Sequence, residues 1–549
     1  MSLLATAIIL AIAAIVIYAS TVTVKAIWEP SVQIEQFKDS KDGALGKFVS
    51  DALDITIAQA QETHREADAQ AISISRTLKI PFLRQDSRVL KELEDLDIKI
   101  KEVPISVFVK ALRAFLEPRY SIRGTVLQSK STLSAGVELL EGSRQPTSVQ
   151  VSVARTGDDD ADAERLARET TYRVLYELNN RFRAKEAMAP SNWQSLDLYT
   201  QALNDLQQYR ATTRYGQSGD PKRPQDFLNA AVSKLKQVAN MDPSYTPALY
   251  YLGVAYFESR GKEDDAIRCF EDLLSRKPEP PFSLEARFYL GYAHFRKYTE
   301  DGYNQASQQY EPLRDTLLSR LTSSLSHDEK RKTQGLLAET YCQLANVFAH
   351  RLAPLAPKDL PPEEIRTRKP TADLYHKEAT DYSQKAEEIV QANLQELGQD
   401  VIDDIEWRRH NALGVRELRY APFDEPSKYD THLDLAFDEF HVALQKSPGN
   451  FNVLENLGRV LRDSKYSRRD LAKAEEYFLR AAELKPDDWY AHQELGNIYD
   501  VLSQGATGEK KLKYQEKMLE SYQRAADLGS EFSKARLEVL HTKKTPHHS

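Results

Sequence analysis

A chain of 549 residues, 41% of them hydrophobic, can bury two or three cores or one long repeat array. Its 74 basic and 82 acidic residues leave a net charge of −8, which argues against a nucleic-acid binder with a basic surface. The two cysteines, Cys269 and Cys342, supply neither a disulfide framework nor a four-cysteine zinc site, and read as small buried side chains in helices.

Leu3 to Val24 is an uncharged apolar run of 22 residues. At about 1.5 Å per residue it spans a hydrocarbon core of about 30 Å, so it predicts an uncleaved membrane anchor over 1–27. A cleaved signal peptide is the rival reading, but no basic n-region precedes the run. Trp28 suits the interface. Lys25, Lys38 and Lys41 follow the run and favour a single-pass protein with a cytoplasmic body, the periplasmic orientation being the alternative.

Residues 30–185 predict a small α+β domain. VQIEQF (32–37) reads as a strand, and helices are expected over about 45–71 and 105–116, the second with Phe108, Leu112 and Phe115 on one face. The period then drops to two. Tyr120, Ile122, Gly124 and Val126 alternate with polar residues, as do Leu133, Ala135, Val137 and Leu139, then Val149, Val151 and Val153. That is a three-stranded meander, with turns at Ser129-Lys130 and Gly142-Ser143. A helix after Ala163 can cover its apolar face with Leu175, Leu178 and Phe182. Asp158 to Asp160 lack the alternating ligands and central glycine of a calcium loop, and read as a helix start.

Beyond residue 190 a spacing recurs. Ala436, Phe440, Ala443 and Pro448 share the offsets of Ala474, Phe478, Ala481 and Pro486. Ala231, Leu235, Val238 and Pro243 fit them, as do Ala266, Phe270, Leu273 and Pro278. Leu252-Gly253 with Tyr256 and Leu495-Gly496 with Tyr499 head neighbouring helices, and Leu290-Gly291 and Leu457-Gly458 are partial versions. A small residue lets two helices approach, a large one fills the groove between them, and the proline ends the pair. These residues, at a period near 34, resemble tetratricopeptide repeats. The pattern covers 226–296 and 431–530. A proline-rich insertion stands near 350–370, after Leu344, Ala345 and Phe348. The order of parts over 32–245 also resembles bacterial proteins with a TolB amino-terminal-like domain ahead of such repeats.

The expected fold is therefore mainly α: a tetratricopeptide-type solenoid over 190–549, preceded by the small α+β domain and a single transmembrane helix. The repeat resemblance implies a groove lined by first helices at repeat positions 2, 5, 9 and 12. Those positions hold Pro247, Tyr250, Val254 and Phe257 in one unit, and Asn452, Glu455, Arg459 and Arg462 in another. In a third they hold Tyr490, Gln493, Asn497 and Asp500. Glu455 and Arg459 depart from the family's carboxylate clamp of Lys and Asn.

No phosphate loop, HExxH or GxSxG motif occurs, and the twelve histidines are scattered apart from His547-His548. The expectation is a non-enzymatic, membrane-anchored bacterial scaffold with no cofactor or metal and no nucleic acid. It binds a protein or peptide in the groove, and homo-oligomerisation is left open. The alternatives are a sensor whose α/β domain binds a small molecule, or a non-catalytic subunit of a membrane-associated enzyme complex.

Overall fold

The computed structural model describes residues 31–39, 44–69, 82–83, 99–100, 103–104, 120–141, 145–182, 189–215, 224–259, 261–277, 279–280, 282–356, 361–486 and 488–542. The chain forms two compact units, one from residues 1–69, 75–201 and 238–245, the other from 70–74, 202–237 and 246–549.

The first unit is a small α+β fold. Strands β1 (Ser31–Ile34), β2 (Lys38–Asp39), β3 (Phe82–Leu83), β6 (Tyr120–Gln128), β7 (Thr132–Glu141) and β8 (Thr147–Ala154) form one sheet, in the order β3-β1-β6-β7-β8 with β2 also on β6. A separate pair joins β4 (Lys99–Ile100) to β5 (Val103–Pro104). The meander β6-β7-β8 is antiparallel, whereas β1 and β2 lie parallel to β6. Leu133, Ala135, Val137 and Leu139 are buried along β7 and pair in register with Val153, Val151, Val149 and Thr147 of β8. Helices α1 (Ala44–Ala69) and α2 (Asp159–Phe182) cover this face with Val49, Leu53, Ile57, Leu166, Leu175 and Leu178. Each such side chain is worth about 1.5–3 kcal/mol on burial. The strand expected over 32–37 ends at Ile34 as β1, and the separate short β2 begins after it at Lys38. Phe37 between them is buried, and its ring would stand 2.7 Å from a Cβ at Gly124. Only Gly at 124 allows that approach.

The acidic run before α2 is a helix start. Asp158 Oδ1 accepts from Ala161 N at 3.1 Å. Buried Asp162 accepts from Thr156 N at 2.8 Å and Thr156 Oγ1 at 2.9 Å. Carboxylates here satisfy free amides and favour the positive end of the helix dipole.

Helices α3 (Trp193–Tyr215) and α4 (Pro224–Met241) contribute residues to both units. The second unit continues as α5 (Thr246–Glu258), α6 (Glu263–Ser275), α7 (Ser283–Phe295), α8 (Glu300–Leu321), α9 (His327–Arg351) and α10 (Pro362–Ala392). Then follow α11 (Gln399–Tyr420), α12 (Tyr429–Lys446), α13 (Phe451–Arg462), α14 (Leu471–Leu484), α15 (Trp489–Gln504), α16 (Gly508–Asp527) and α17 (Glu531–Thr542). From α5 to α16 they pack as hairpins, α5 on α6 through α15 on α16. Side chains cap several starts: Thr299 for α8, Asn450 for α13, Asp470 for α14 and Asp488 for α15, with a Ser326–Glu329 capping box on α9.

Two expectations change. The proline-rich insertion near 350–370 is largely helical, because α10 begins at Pro362 and carries Pro370 inside it. A proline in the first turn has no amide to leave unpaired, so Pro362 starts a helix instead of forbidding one. The expectation of a single-pass membrane protein, with its cytoplasmic lean, is corrected: among the described residues no helix is long and apolar enough to cross a membrane. Residues 3–24, Trp28, the 105–116 helix and Pro278 lie outside the described residues.

Candidate functional site

The first helices of six successive hairpins, α5, α7, α9, α11, α13 and α15, line one channel of about 800 Å³ in the second unit. Each second helix presses an aromatic ring onto one face of its first helix. That leaves the opposite face of the first helix for the channel. Helix α5 contributes Phe257 and α7 contributes Tyr292 and Phe295. Gln343, Asn346 and His350 come from one face of α9, at helical spacings of three and four. Trp407, Asn411 and Arg419 come from α11, Asn452, Glu455, Asn456 and Arg459 from α13, and Trp489 and Tyr490 from α15.

Hydrogen bonds fix much of this wall. Asn456 Nδ2 donates to Asn411 Oδ1 at 2.9 Å, a buried amide bridge between adjacent first helices. Lys485 Nζ donates to Tyr209 Oη and to the Glu258 carbonyl, both at 3.2 Å. The Arg296 guanidinium lies 4.6 Å from the centre of the Phe257 ring. Trp407 Nε1 donates to Asp404 Oδ1 at 2.7 Å, and Arg408 pairs with the other Asp404 oxygen at 3.0 Å.

Two guanidinium groups on the channel wall, Arg419 and Arg459, have no carboxylate partner among the described residues, and nor has Arg296, which donates instead to the Phe257 carbonyl. Arg419 has an Nε buried without a partner, and it makes no ion pair among the described residues. Arg459 donates from Nη1 to Asn456 Oδ1 at 3.3 Å and likewise has no ion pair among them. Burial and the nearby Arg459 push the Arg419 guanidinium down to about 9. Burial, then Arg419 and Arg459, hold the His350 ring well below the usual histidine range. The His350 ring rests 5.0 Å from Phe295 and 6.0 Å from Tyr303. Burial drives the Tyr303 hydroxyl up to about 12, although both arginines oppose the shift.

Of the groove residues expected from the repeat resemblance, Phe257, Asn452, Glu455, Arg459 and Tyr490 are brought together on the channel wall. Of the remainder, Tyr250, Arg462, Gln493 and Asn497 are engaged elsewhere. Tyr250 is buried and stacked on Phe282 at 4.7 Å. Arg462 pairs with Glu494 at 3.0 Å. Gln493 accepts from Ser530 Oγ at 2.7 Å, and Asn497 accepts from Tyr522 Oη at 2.8 Å. Sequence reading missed Arg419, His350, Asn346 and Gln343. The one local clue was the polar stripe 343–346–350 in the otherwise apolar stretch 341–350 of α9.

Residues 258–298, spanning α6 and α7, match the tetratricopeptide repeat family. That match lies in the helical array and lends nothing to the TolB-type resemblance of residues 32–245. No curated protein matches the chain significantly. Among solved structures, a tetratricopeptide repeat protein from Parabacteroides merdae is similar at 12% identity, covering 62% of this chain and 98% of that one, with a TM-score of 0.31. A human IFIT1 dimer with PPP-AAAA is similar at 18% identity, covering 69% and 79%, with a TM-score of 0.29. Proteins built from tetratricopeptide repeats generally mediate protein–protein interaction. The family match is thus confined to residues 258–298, and helical hairpins flank that stretch on both sides.

Proposed function

We propose that this chain is a non-catalytic binding protein whose channel holds an extended segment of a partner protein. The observation that carries this reading is the channel's lining. Six first helices contribute aromatic faces and amides, among them Phe257, Tyr292 and Tyr490 beside Gln343, Asn346, Asn411 and Asn452. Aromatic rings supply contact area at low entropic cost, and amides pair with the backbone of an extended chain. An enzyme is the weaker reading, since the wall's polar groups are mostly amides and cations, and among the described residues of the wall no nucleophile is hydrogen-bonded to a base.

Site-specific photo-crosslinking in the full-length chain tests this. A photoreactive residue at Asn452, on the channel wall, is expected to capture a partner segment. The same residue at Lys473, exposed on α14, is not. Equal capture at both positions would sink the channel as the binding surface.

A further inference from the structure

We infer that Arg419 and Arg459 form a receptor for a phosphate-type dianion carried on the partner segment that the channel takes. This rests on the channel reading of the preceding section. Folding has brought two guanidinium groups from α11 and α13 onto the wall of one channel without giving either an ion pair among the described residues. Arginines used for structure in this protein look different. Arg462, one turn beyond Arg459, pairs with Glu494 at 3.0 Å, and Arg408 pairs with Asp404 at 3.0 Å. Like charges held together in a low-dielectric space destabilise the folded chain, and a bound anion removes that cost.

Charge counting chooses the anion. One carboxylate neutralises one guanidinium, whereas a phosphate monoester carries about −1.5 to −2 at neutral pH. It also offers several acceptor oxygens to two planar donor forks. The groups facing the pair are Tyr303, Tyr490 and neutral His350, with Glu455 and Glu494 beside Tyr490. The hydroxyl and imidazole groups can each donate one more hydrogen bond. The rest of the wall sets Glu258, Glu263 and Glu455 among Arg296, Lys297, Arg408 and Lys485, so a strand with a charge on every residue is repelled at three carboxylates. A single phosphate on an otherwise uncharged or basic peptide meets no such repulsion.

The test begins with orthophosphate and the full-length chain at constant ionic strength. Phosphate is expected to raise the melting temperature saturably, and acetate is not. Arg419→Met and Arg459→Met should each weaken the phosphate response at least about tenfold while leaving the phosphate-free melting temperature equal or higher. Arg462→Met should do the reverse, lowering the melting temperature and keeping the response. If either arginine variant of the pair fails to fold, the other decides. A response of equal strength in wild type and the pair variants, or none in wild type, overturns the site.

A second arm fixes the source. A phosphoserine peptide library should bind at least about tenfold tighter than its dephosphorylated form, and Arg419→Met should erase the difference. Equal binding of both peptide forms overturns the anion site but leaves the channel reading intact. Binding of neither form, alongside a phosphate response lost in the pair variants, overturns the channel reading and the peptide assignment. Binding of a 5′-phosphorylated oligoribonucleotide instead of the phosphopeptides overturns the peptide assignment.

Discussion

Gly458 on α13 lies directly beneath the ring of Phe478 on α14. A Cβ at 458 would stand 2.6 Å from Phe478 Cε2, closer than carbon atoms pack. The same relation joins Gly253 to Phe270, Gly291 to Tyr310, Gly414 to Phe440 and Gly496 to Tyr522. Each glycine sits on a first helix and each ring on the second helix of the same hairpin. The ring's thickness therefore sets the distance between the helices, and the five contacts give successive hairpins the same form. That shared form leaves the first helices free to face one channel.

Gly458→Leu is expected to destabilise the second unit by at least about 1–3 kcal/mol, through overpacking against Phe478. Because repeats contact mainly their neighbours, the loss should concentrate in α12 to α16. Hydrogen exchange would show it there. Protection lost equally across β6 to β8 would count against a locally sprung hairpin.

The buried amide bridge offers an independent check on the channel wall. Asn456→Ala removes the donor to Asn411 Oδ1 and leaves a buried polar group unmatched, at a cost of about 1–3 kcal/mol. Replacing both asparagines by Leu should cost less than the sum of the single changes, because no unmatched partner remains. Strict additivity in denaturant unfolding would mean the bridge does not couple α11 to α13.

These contacts also show where sequence reading stopped. The Ala–Phe–Ala offsets around Phe440 and Phe478 mark second helices, because the small residues flank a ring that must fit a groove. The glycine seat for Phe440 is Gly414, which lies in a helix without the aromatic that follows Gly253 and Gly496, so it passed unnoticed. The meander was legible because one face is buried and the period is two. Helix α10 was hidden by Pro362 and Pro370, which read as breakers when context is absent. The Arg419–Arg459 pair joins residues forty positions apart, and no local spacing encodes a pairing created by stacking hairpins. The fold was thus readable from short-range offsets, whereas the channel's charge depended on which first-helix faces the stacking turned inward.

Glu417 predicts a stability window in pH. Its side chain is 5% exposed, and His432 Nδ1 approaches it at 2.5 Å, His376 Nε2 at 3.4 Å and Arg416 closely. Burial alone would raise its carboxyl, but the hydrogen bonds from His376 and His432 and the charge of Arg416 hold it well below the usual range. The hydrogen bond to Glu417 raises the His432 ring, with Asp424 adding to it. The Glu417 contribution is present above its ordinary value of 4.5 and is lost as pH falls toward its lowered folded value. The His432 contribution is complete below 6.5 and is lost as pH rises through its raised folded value. Both are therefore full between 4.5 and 6.5. Glu417→Gln should cost on the order of 3 kcal/mol there, because it leaves a buried imidazolium and guanidinium without their anion. A cost that stayed constant from pH 5 to well above neutrality would argue that His432 is not charged in the fold.

His350 predicts the opposite slope in the same range. Burial and the charges of Arg419 and Arg459 keep its ring neutral when a free histidine would protonate. Below its ordinary value of 6.5 the unfolded chain gains a proton that the folded chain refuses, so stability falls as pH falls. The loss amounts to at most about 1.4 kcal/mol per pH unit, and ends only when the folded ring itself protonates. His350→Gln keeps a polar side chain against Phe295 and Tyr303 but removes the titration. Urea unfolding between pH 6.5 and 5 should therefore show a shallower acid loss in the variant than in wild type. Phosphate should flatten the wild-type slope too, because a dianion between the arginines makes protonation of His350 easier. Identical slopes in wild type and His350→Gln would mean that the ring titrates normally and that the two arginines do not bear on it.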